Sequence, residues 1–338
     1  MIRGGYLFLK PLKEWIHLLF KNDKGPRKVL FRVDAGRIYG LSFGHVSRCL
    51  MLAKVLQKEC GSDTMFLMRN FPDGINYVTR NGYTVKEFSV HQSREERGMI
   101  MDAIKEYQPD MLIIDVPYKN IDTSYYGILR ERGINIVFID DSRFIYPDVD
   151  VLLNSNILAP KRMEKIHNPK YVNTRFLLGI DYFVFDESLL EETPVRTKGV
   201  YNILVTFGGS DPTSLTPKVL NTLLQEEWPG HVFSIILGPG YPNPYEIETL
   251  IGRSRKDYHV VKNPANLIPF LQRCDFAICA GGRTMYELFC LGKNFFPIAT
   301  AEHEAEVVDE FIRRGIIKEG LTSWDPKALI SNLKYLTE

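Results

Sequence analysis

The chain has 338 residues, enough for about two domains with sizeable hydrophobic cores, which argues against a peptide hormone or a one-domain binding module. Apolar residues make up 45% and charged residues 25% of the chain, which is typical of a globular protein and not of a disordered or fibrous one. The net charge of +1 gives no general attraction to a polyanion, so we predict no nucleic-acid partner.

Residues 1–28 form a basic leader with a net charge of +5, whereas the rest of the chain carries −4. After Pro11, apolar residues recur at helical spacing and predict a short amphipathic helix. These residues are Leu12, Trp15, Ile16, Leu19 and Phe20. Two interpretations stay open: the helix packs on the protein body or a partner, or it makes peripheral contact with an anionic membrane through Trp15, Phe20 and the lysines.

The leader has no apolar stretch of about 18 residues and no small-x-small cleavage site, so we expect neither a membrane span nor a secretory signal. The chain has five cysteines and no C-x-x-C pair, which fits a reducing compartment. We therefore predict a cytoplasmic protein, with membrane association as the alternative that the leader leaves open.

The first half of the chain after the leader alternates apolar runs with amphipathic helical patterns. This alternation predicts a parallel sheet that is covered on both faces. The predicted strands are VLFRVDA (29–35), TMFLM (64–68), YTVKEF (83–88), MLIIDV (111–116), NIVFIDD (135–141) and, as the last one, VLLNSNIL (151–158).

The second half repeats this pattern. Its predicted strands are YNILVTF (201–207), HVFSIILG (231–238), YHVVK (258–262), FAICA (276–280) and NFFPIAT (294–300). We therefore predict an α/β protein with two doubly wound Rossmann-like domains, at 29–165 and 196–338, joined by a linker at 166–195. Two such domains are expected to form a ligand cleft between them at the carboxyl ends of their strands.

The loop after the first strand contains Gly36, Gly40 and Gly44, and a helix is predicted to begin at or just after His45. This spacing is not the G-x-G-x-x-G fingerprint, so it does not indicate NAD. A helix start at the carboxyl edge of a sheet favours a neutral imidazole, which can accept a proton. His45 as a general base and His45 as a cap of the loop remain equal alternatives on this evidence.

Two glycine turns follow strands of the second domain. Gly208, Gly209 and Ser210 form a turn whose amides and hydroxyl are suited to a phosphate. Gly281 and Gly282 precede a helix, where amides near Thr284 are suited to a diphosphate and Glu287 to the two ribose hydroxyls. The alternative is structural, with glycines that allow close packing and Glu287 on the surface.

Five segments together resemble a known family, the UDP-sugar hydrolases of pseudaminic acid biosynthesis and the related spore-coat polysaccharide proteins, which have the two-domain GT-B architecture. The segments span about residues 29–315 in family order and read DAGRIYGLSFGHVSRCLMLA, VFIDDSRFIYPDVDVLLNSNI, LLGIDYFVF, TFGGSDPTSLTPKVL and AICAGGRTMYELFCLGK. The resemblance implies that water removes UDP from a diacetamido-trideoxyhexose without a metal or cofactor, with His45 as the catalytic residue and the nucleotide held by the second domain. Asp34 is the second candidate for the base.

The chain departs from the family pattern at several positions. Arg283 replaces a serine and is expected to contact a phosphate or close the site. The segment 301–304 replaces an Asn-Gln pair that reads sugar hydroxyls, so the sugar is not identified. The candidate sugar-binding residues are Gly44, Tyr118, His303 and Glu304.

Three functions remain open at this point. The first is a nucleotide-sugar hydrolase, in which water attacks the anomeric carbon. The second is a glycosyltransferase that uses the same donor and a sugar or lipid-linked acceptor, which the basic leader favours because such enzymes often work at membranes. The third is a nucleotide-sugar binder without catalysis.

Overall fold

The computed structural model describes residues 10–21, 25–36, 41, 43–89, 93–116, 122–140, 147–164, 173–191, 200–252 and 256–337. The chain divides into two units, one that spans Leu9–Asp186 and one that contains Glu187–Glu338. They are called the N-terminal and the C-terminal domain below.

Seven parallel strands form the sheet of the N-terminal domain, since most of the apolar runs are buried on both faces. The strands are β1 (Lys28–Val33), β2 (Asp63–Arg69), β3 (Thr84–Phe88), β4 (Met111–Asp115), β5 (Asn135–Ile139), β6 (Val151–Asn154) and β7 (Arg175–Leu178). The helices are α1 (Leu12–Trp15), α2 (Gly44–Cys60), α3 (Pro72–Arg80), α4 (Ser93–Tyr107), α5 (Tyr126–Glu131) and α6 (Ala159–Met163), with 3-10 turns at Ile16–Leu19 and Ile180–Tyr182.

The strand order is β3-β2-β1-β4-β5-β6-β7, so the order reverses at β1. β1 pairs with β2 on one side and with β4 on the other, and Val33 is paired with Asp115. The loop after β1 and the last residue of β4 therefore lie next to each other at the carboxyl edge. Ligands of open α/β sheets bind at such a reversal point.

Side chains along β1 and β4 alternate between the two faces of the sheet. Phe31 belongs to the same core cluster as residues of α2, and Leu30 to the cluster that includes α4 and α5. Arg32 and Asp34 share the side-chain direction of Leu30, because side chains at every second residue point to the same face, so both lie on the α4 face. Asp115 follows Ile113, which is part of the core on the α2 face.

The leader helix is part of the N-terminal core. Its apolar residues Leu12, Trp15, Ile16 and Leu19 are each at most 3% exposed. The Trp15 ring stacks edge to face on Tyr182, with ring centroids 5.6 Å apart. Of the two interpretations of the leader, the structure therefore supports packing on the protein body, and the domain begins before residue 29.

Three polar contacts tie the leader to the amino ends of the last three strands. Asn135 Nδ2 donates to the Leu19 carbonyl at 2.5 Å, Arg175 Nη1 donates to the Leu18 carbonyl at 2.7 Å, and Lys21 pairs with Asp150 at 2.6 Å. Trp15 is therefore not available for the membrane contact that the second interpretation gives it, because its side chain is buried in the domain. Among the described residues, no helix is long and apolar enough to cross a bilayer.

The predicted linker at 166–195 differs from the structure. Residues 175–178 form β7, which pairs in parallel with β6, and the boundary between the two units lies at residues 186 and 187. β7 has only four residues and lies at the edge of the sheet, so it is buried less completely than the other strands and its pattern is weak. The segment 151–158 therefore contains the sixth strand, not the last one.

The C-terminal domain has a five-stranded parallel sheet in the order β10-β9-β8-β11-β12. The strands are β8 (Tyr201–Thr206), β9 (His231–Leu237), β10 (Tyr258–Lys262), β11 (Phe276–Ala280) and β12 (Asn294–Ile298). The helices are α7 (Leu215–Leu223), α8 (Pro244–Ile251), α9 (Ile268–Arg273), α10 (Arg283–Cys290), α11 (Glu302–Arg313) and α12 (Pro326–Thr337), with a 3-10 turn at Glu187–Leu190. The predicted doubly wound α/β architecture is confirmed for both domains.

Candidate active site

His45 lies in the first turn of α2, directly after Gly44, at the reversal point of the N-terminal sheet. Its side chain is 15% exposed, and its Nδ1 lies 2.7 Å from Asp115 Oδ1. No side chain caps the start of α2 in the described part of the chain. Among the described residues, the His45 ring contacts Asp115 at the end of β4 and Arg48 on its own helix.

Asp115 is fully buried and is held by Arg48, one turn after His45 on α2. The Arg48 guanidinium donates hydrogen bonds to both carboxylate oxygens: Nη2 lies 2.6 Å from Oδ1, and Nε donates to Oδ2. Burial alone would raise the pKa of Asp115, but the charges and hydrogen bonds of Arg48 and His45 outweigh burial and lower it. Asp115 is therefore a carboxylate at neutral pH.

An ionised Asp115 can only accept hydrogen bonds, so Nδ1 of His45 carries the proton between them. When the ring is neutral, its lone pair is therefore on Nε2, which can accept a proton from a ligand or from water. The neighbouring Cys49 thiol contacts Asp115 Oδ2 at 3.6 Å, and burial together with the Asp115 charge raises the pKa of that thiol well above its usual value. Cys49 is thus a protonated core residue, and the chemistry available here is that of an oriented histidine base.

Asp34 is engaged in a different network on the α4 face. Its Oδ2 accepts from Arg32 at 2.7 Å, and its Oδ1 accepts from the backbone N–H of Arg69 at 2.7 Å. Glu96 bridges the guanidinium groups of Arg32 and Arg69. These contacts link β1 to β2 and α4 and neutralise the fully buried Arg32. Asp34 therefore has a structural partner for each oxygen, and it lies on the opposite face of the sheet from Asp115.

The two glycine turns of the C-terminal domain follow neighbouring strands at the reversal point of its sheet. β8 and β11 are neighbours, and Thr206 is paired with Cys279 near their carboxyl ends. The turn at Gly208–Ser210 is exposed, and Gly208 has a φ of 76°, a conformation that favours glycine. The order of the strands therefore places both predicted turns at the same edge of the sheet.

The two turns differ in whether the first backbone N–H groups of the following helix have a side-chain partner. Asp211 lies after the first turn and accepts from the backbone N–H groups of Leu215 and Thr216 at 2.8 and 2.7 Å. The first amides of α7 are therefore occupied by the chain's own carboxylate. This capping role of Asp211 was not predicted, although Asp is a preferred capping residue.

Helix α10 begins at Arg283, after Gly282, and within the described residues no side chain caps it. A Cβ added to Gly281 would lie 3.0 Å from Cβ of Glu304, so this glycine allows α11 to approach closely. Thr284 is half-buried, and Glu287 Oε1 accepts from Arg283 Nε at 3.0 Å. The uncapped start of α10 is suited to an anion, since its first N–H groups have no helical partner.

Of the candidate sugar-binding residues, Glu304 has a capping contact. Its Oε2 accepts from the backbone N–H of Thr300 at 2.8 Å and from the Thr300 hydroxyl at 2.7 Å. His303 is exposed in the first turn of α11. Tyr118 lies outside the described residues. Among the residues that the structure describes, no three His, Cys, Asp or Glu side chains are grouped to hold a metal ion.

The chain has distant relatives among curated proteins. It is 27% identical over 287 residues to the uncharacterized protein MJ1062 of Methanocaldococcus jannaschii, an alignment that covers 81% of this chain and 56% of that protein. It is 24% identical over 282 residues to the spore coat polysaccharide biosynthesis protein SpsG of Bacillus subtilis, covering 82% and 79% of the two chains. The chain thus spans little more than half the length of the archaeal relative.

A third relative is the Helicobacter pylori pseudaminic acid cytidylyltransferase and UDP-2,4-diacetamido-2,4,6-trideoxy-beta-L-altropyranose hydrolase. The chain is 25% identical to it over 214 residues, which are 62% of this chain and 38% of that protein. No family model matches the chain.

Solved structures with a similar fold cover nearly the whole chain. MurG of Acinetobacter baumannii superposes with a TM-score of 0.61 at 15% identity, over 92% of this chain and 91% of that one. A glycosyltransferase of Rickettsia africae gives 0.56 at 14% identity, over 93% and 88%. The UDP-GlcNAc 2-epimerase of Neisseria meningitidis, bound to UDP-GlcNAc, gives 0.55 at 14% identity, over 92% and 91%. The chain therefore has the two-domain Rossmann-like fold of the GT-B glycosyltransferases, as predicted.

Proposed function

We propose that the protein is a nucleotide-sugar hydrolase that releases UDP from an acetamido- or diacetamido-deoxyhexose. The observation that carries this proposal is the pair of His45 and Asp115 at the reversal point of the N-terminal sheet. An ionised, buried carboxylate orients the imidazole through Nδ1 and leaves Nε2 as a proton acceptor. The names of the relatives from Bacillus subtilis and Helicobacter pylori support a role in amino-sugar or surface-polysaccharide biosynthesis.

The proposed reaction is a single displacement. Water attacks the anomeric carbon while Nε2 of His45 takes one of its protons, and the bond from that carbon to the β-phosphate oxygen breaks. UDP leaves with the electron pair of that bond, so the configuration at the anomeric carbon is inverted. No covalent intermediate is required, which agrees with the engagement of Asp34 by Arg32 and Arg69 and with the protonated state of Cys49.

The C-terminal domain is proposed to hold the nucleotide. The start of α10, with Gly281, Gly282 and Thr284, would bind the diphosphate, and Glu287 would accept from the ribose hydroxyls. Arg283 would add positive charge beside the leaving group. The turn at 208–210 would contribute its exposed amides and hydroxyl, but not the amides of α7, which Asp211 occupies.

The second candidate function is a glycosyltransferase with the same donor, in which an acceptor hydroxyl replaces water. The likeness of the fold to glycosyltransferase structures favours it. Proton removal by His45 would serve either nucleophile, so the geometry of the base does not distinguish the two reactions.

The deciding experiment measures UDP release from UDP-sugars that carry acetamido groups, with and without sugar or lipid-linked acceptors. Release without any acceptor is expected for the hydrolase. Release only with an acceptor would support the transferase, and binding of UDP-sugars without release would support a binder. His45→Asn is the control that separates release by this protein from release by a contaminant.

Glu287→Gln is expected to weaken UDP binding by about 1 to 3 kcal/mol, because the charged acceptor of the ribose hydroxyls is lost. Calorimetric titration with UDP and with 2′,3′-dideoxy-UDP measures this effect, and the variant should bind the two ligands nearly equally. Glu302→Gln makes the same charge change at an exposed position of α11 and should leave both affinities unaltered. An undiminished preference for the ribose hydroxyls in Glu287→Gln would remove this role from Glu287.

A further inference from the structure

Arg48 contacts both members of the candidate base. It follows His45 by three residues on α2, so the two side chains share one face of the helix. Its Nη2 lies 3.0 Å from His45 Nδ1 and 2.6 Å from Asp115 Oδ1. Since Nδ1 and Nη2 are both donors here, they share Oδ1 of Asp115 as acceptor. The guanidinium is therefore in direct contact with the edge of the ring that carries the proton.

The charges of this cluster balance only when the ring is neutral. Arg48 and Asp115 are 7% and 0% exposed, and together they form a bidentate ion pair. A second proton on His45 would place an imidazolium within 3.0 Å of the Arg48 guanidinium, with little water between them. Without Arg48, the negative charge of Asp115 would be uncompensated and would favour the imidazolium form of His45.

We propose that Arg48 is a positioning residue that holds Asp115 ionised and keeps His45 neutral, so that Nε2 is an available base near neutral pH. This inference rests on the proposed function of His45 and assigns to Arg48 the control of the pH range in which that function operates. Arg48 itself exchanges no proton in the reaction.

Other charged groups on the elements that pack against α2 have separate partners or are exposed. Arg32, Asp34 and Arg69 belong to the network on the α4 face of the sheet. On α1 and α3, the exposed charged residues are Lys13, Glu14, Asp73 and Arg80. Cys49 is in contact with Asp115 but is protonated. Among the described residues, Arg48 and His45 are the groups that shift the pKa of Asp115.

The purely structural alternative is that Arg48 only fastens α2 to β4. Both roles predict a loss of stability on substitution, because the buried carboxylate loses its partner. Only the proposed role predicts a change in the pH at which the His45 ring titrates. The test therefore uses NMR of histidine-labelled full-length protein, in which the His45 signal is identified among the seven histidines by its absence in His45→Asn.

The variants are Arg48→Gln, Arg48→Lys, Asp115→Asn and the double variant Arg48→Gln/Asp115→Asn. In Arg48→Gln the titration of His45 is expected to move up by about one pH unit, since one neighbouring charge typically shifts a titration by one to three units. The acidic limb of UDP release should move up with the titration. Within the shifted range Arg48→Gln should release UDP about tenfold more slowly than the wild type, with KM unchanged, and the rate should be restored at higher pH. Arg48→Lys keeps the charge and should stay near the wild type.

The double variant removes both buried charges. If Arg48→Gln does not fold, the double variant is compared with Asp115→Asn, which keeps the Arg48 charge, and His45 should titrate at a higher pH in the double variant. In the double variant the titration should return toward the wild-type position, because neither charge remains. An unchanged His45 titration in folded Arg48→Gln, or equal titrations of the double variant and Asp115→Asn, would overturn the role of Arg48. If the wild type releases no UDP, the titration still decides the role of Arg48, so failure of the proposed function is recognised separately.

Discussion

Folded His45→Asn protein is expected to release UDP about 10²- to 10⁴-fold more slowly than the wild type, while its affinity for UDP stays the same. The variant lacks the group that takes the proton from water, and general base catalysis typically contributes a factor of this size, or about 3 to 5 kcal/mol of barrier. The nucleotide contacts proposed for the C-terminal domain are untouched. Steady-state release of UDP and calorimetric titration with UDP measure the two quantities.

The pH dependence gives a second measurement of the same role. In the wild type, release should fall at acid pH, because a protonated imidazole cannot accept the proton of water. His45→Asn should lose this acidic limb. His17→Asn, an exposed histidine of the leader, is the matched control and should keep both the rate and the limb. Near-normal release by folded His45→Asn would end the proposed role of His45.

Removal of residues 1–27 is expected to abolish cooperative folding of the N-terminal domain. The deletion takes away Leu12, Trp15, Ile16 and Leu19, which are all buried in the same core as β1 and α2. Loss of one buried tryptophan side chain typically costs about 3 to 5 kcal/mol, and a whole domain is stable by only about 5 to 15 kcal/mol. The leader thus cannot be separated from the domain, although its sequence looks like an independent segment.

Urea unfolding followed by circular dichroism and fluorescence measures this effect. Trp15→Ala in the full chain should lower the free energy of unfolding by several kcal/mol, whereas Lys13→Ala on the exposed side of the same helix should change it by less than about 0.5 kcal/mol. A truncated chain that starts at Lys28 and unfolds cooperatively at the wild-type urea concentration would contradict the structural role of the leader.

Most strands were predictable because each is a run of apolar residues between turn residues, and burial on both faces requires such runs. β7 was not, since Arg175–Leu178 is four residues long and lies at the edge of the sheet. The leader was predicted as an amphipathic helix, but its apolar face does not reveal what covers it. That information is in the contacts of Trp15 with Tyr182 and of Leu19 with Asn135, which are distant in sequence.

The candidate site shows the same limit. His45 was singled out by a glycine loop and a helix start, both of which are local signals. Asp115 is 70 residues away, and its pairing with His45 follows from the adjacency of β1 and β4, which the sequence does not state directly. A signal did exist, since Asp115 is a carboxylate that ends a fully apolar strand. Asp34, directly after β1, gives a similar signal, and the contacts of its two oxygens on the other face of the sheet separate it from Asp115.

The anchoring of the leader also bears on synthesis of the chain at the ribosome. The leader is synthesised before Asn135, Asp150 and Arg175, on which it docks and which are made near the end of the N-terminal domain. At about 5 to 20 residues per second, the leader waits on the order of ten seconds before its docking surface has been synthesised. During that interval the core of the leader lacks Val137, Val151 and Leu177, so the nascent chain exposes apolar surface that the finished protein buries.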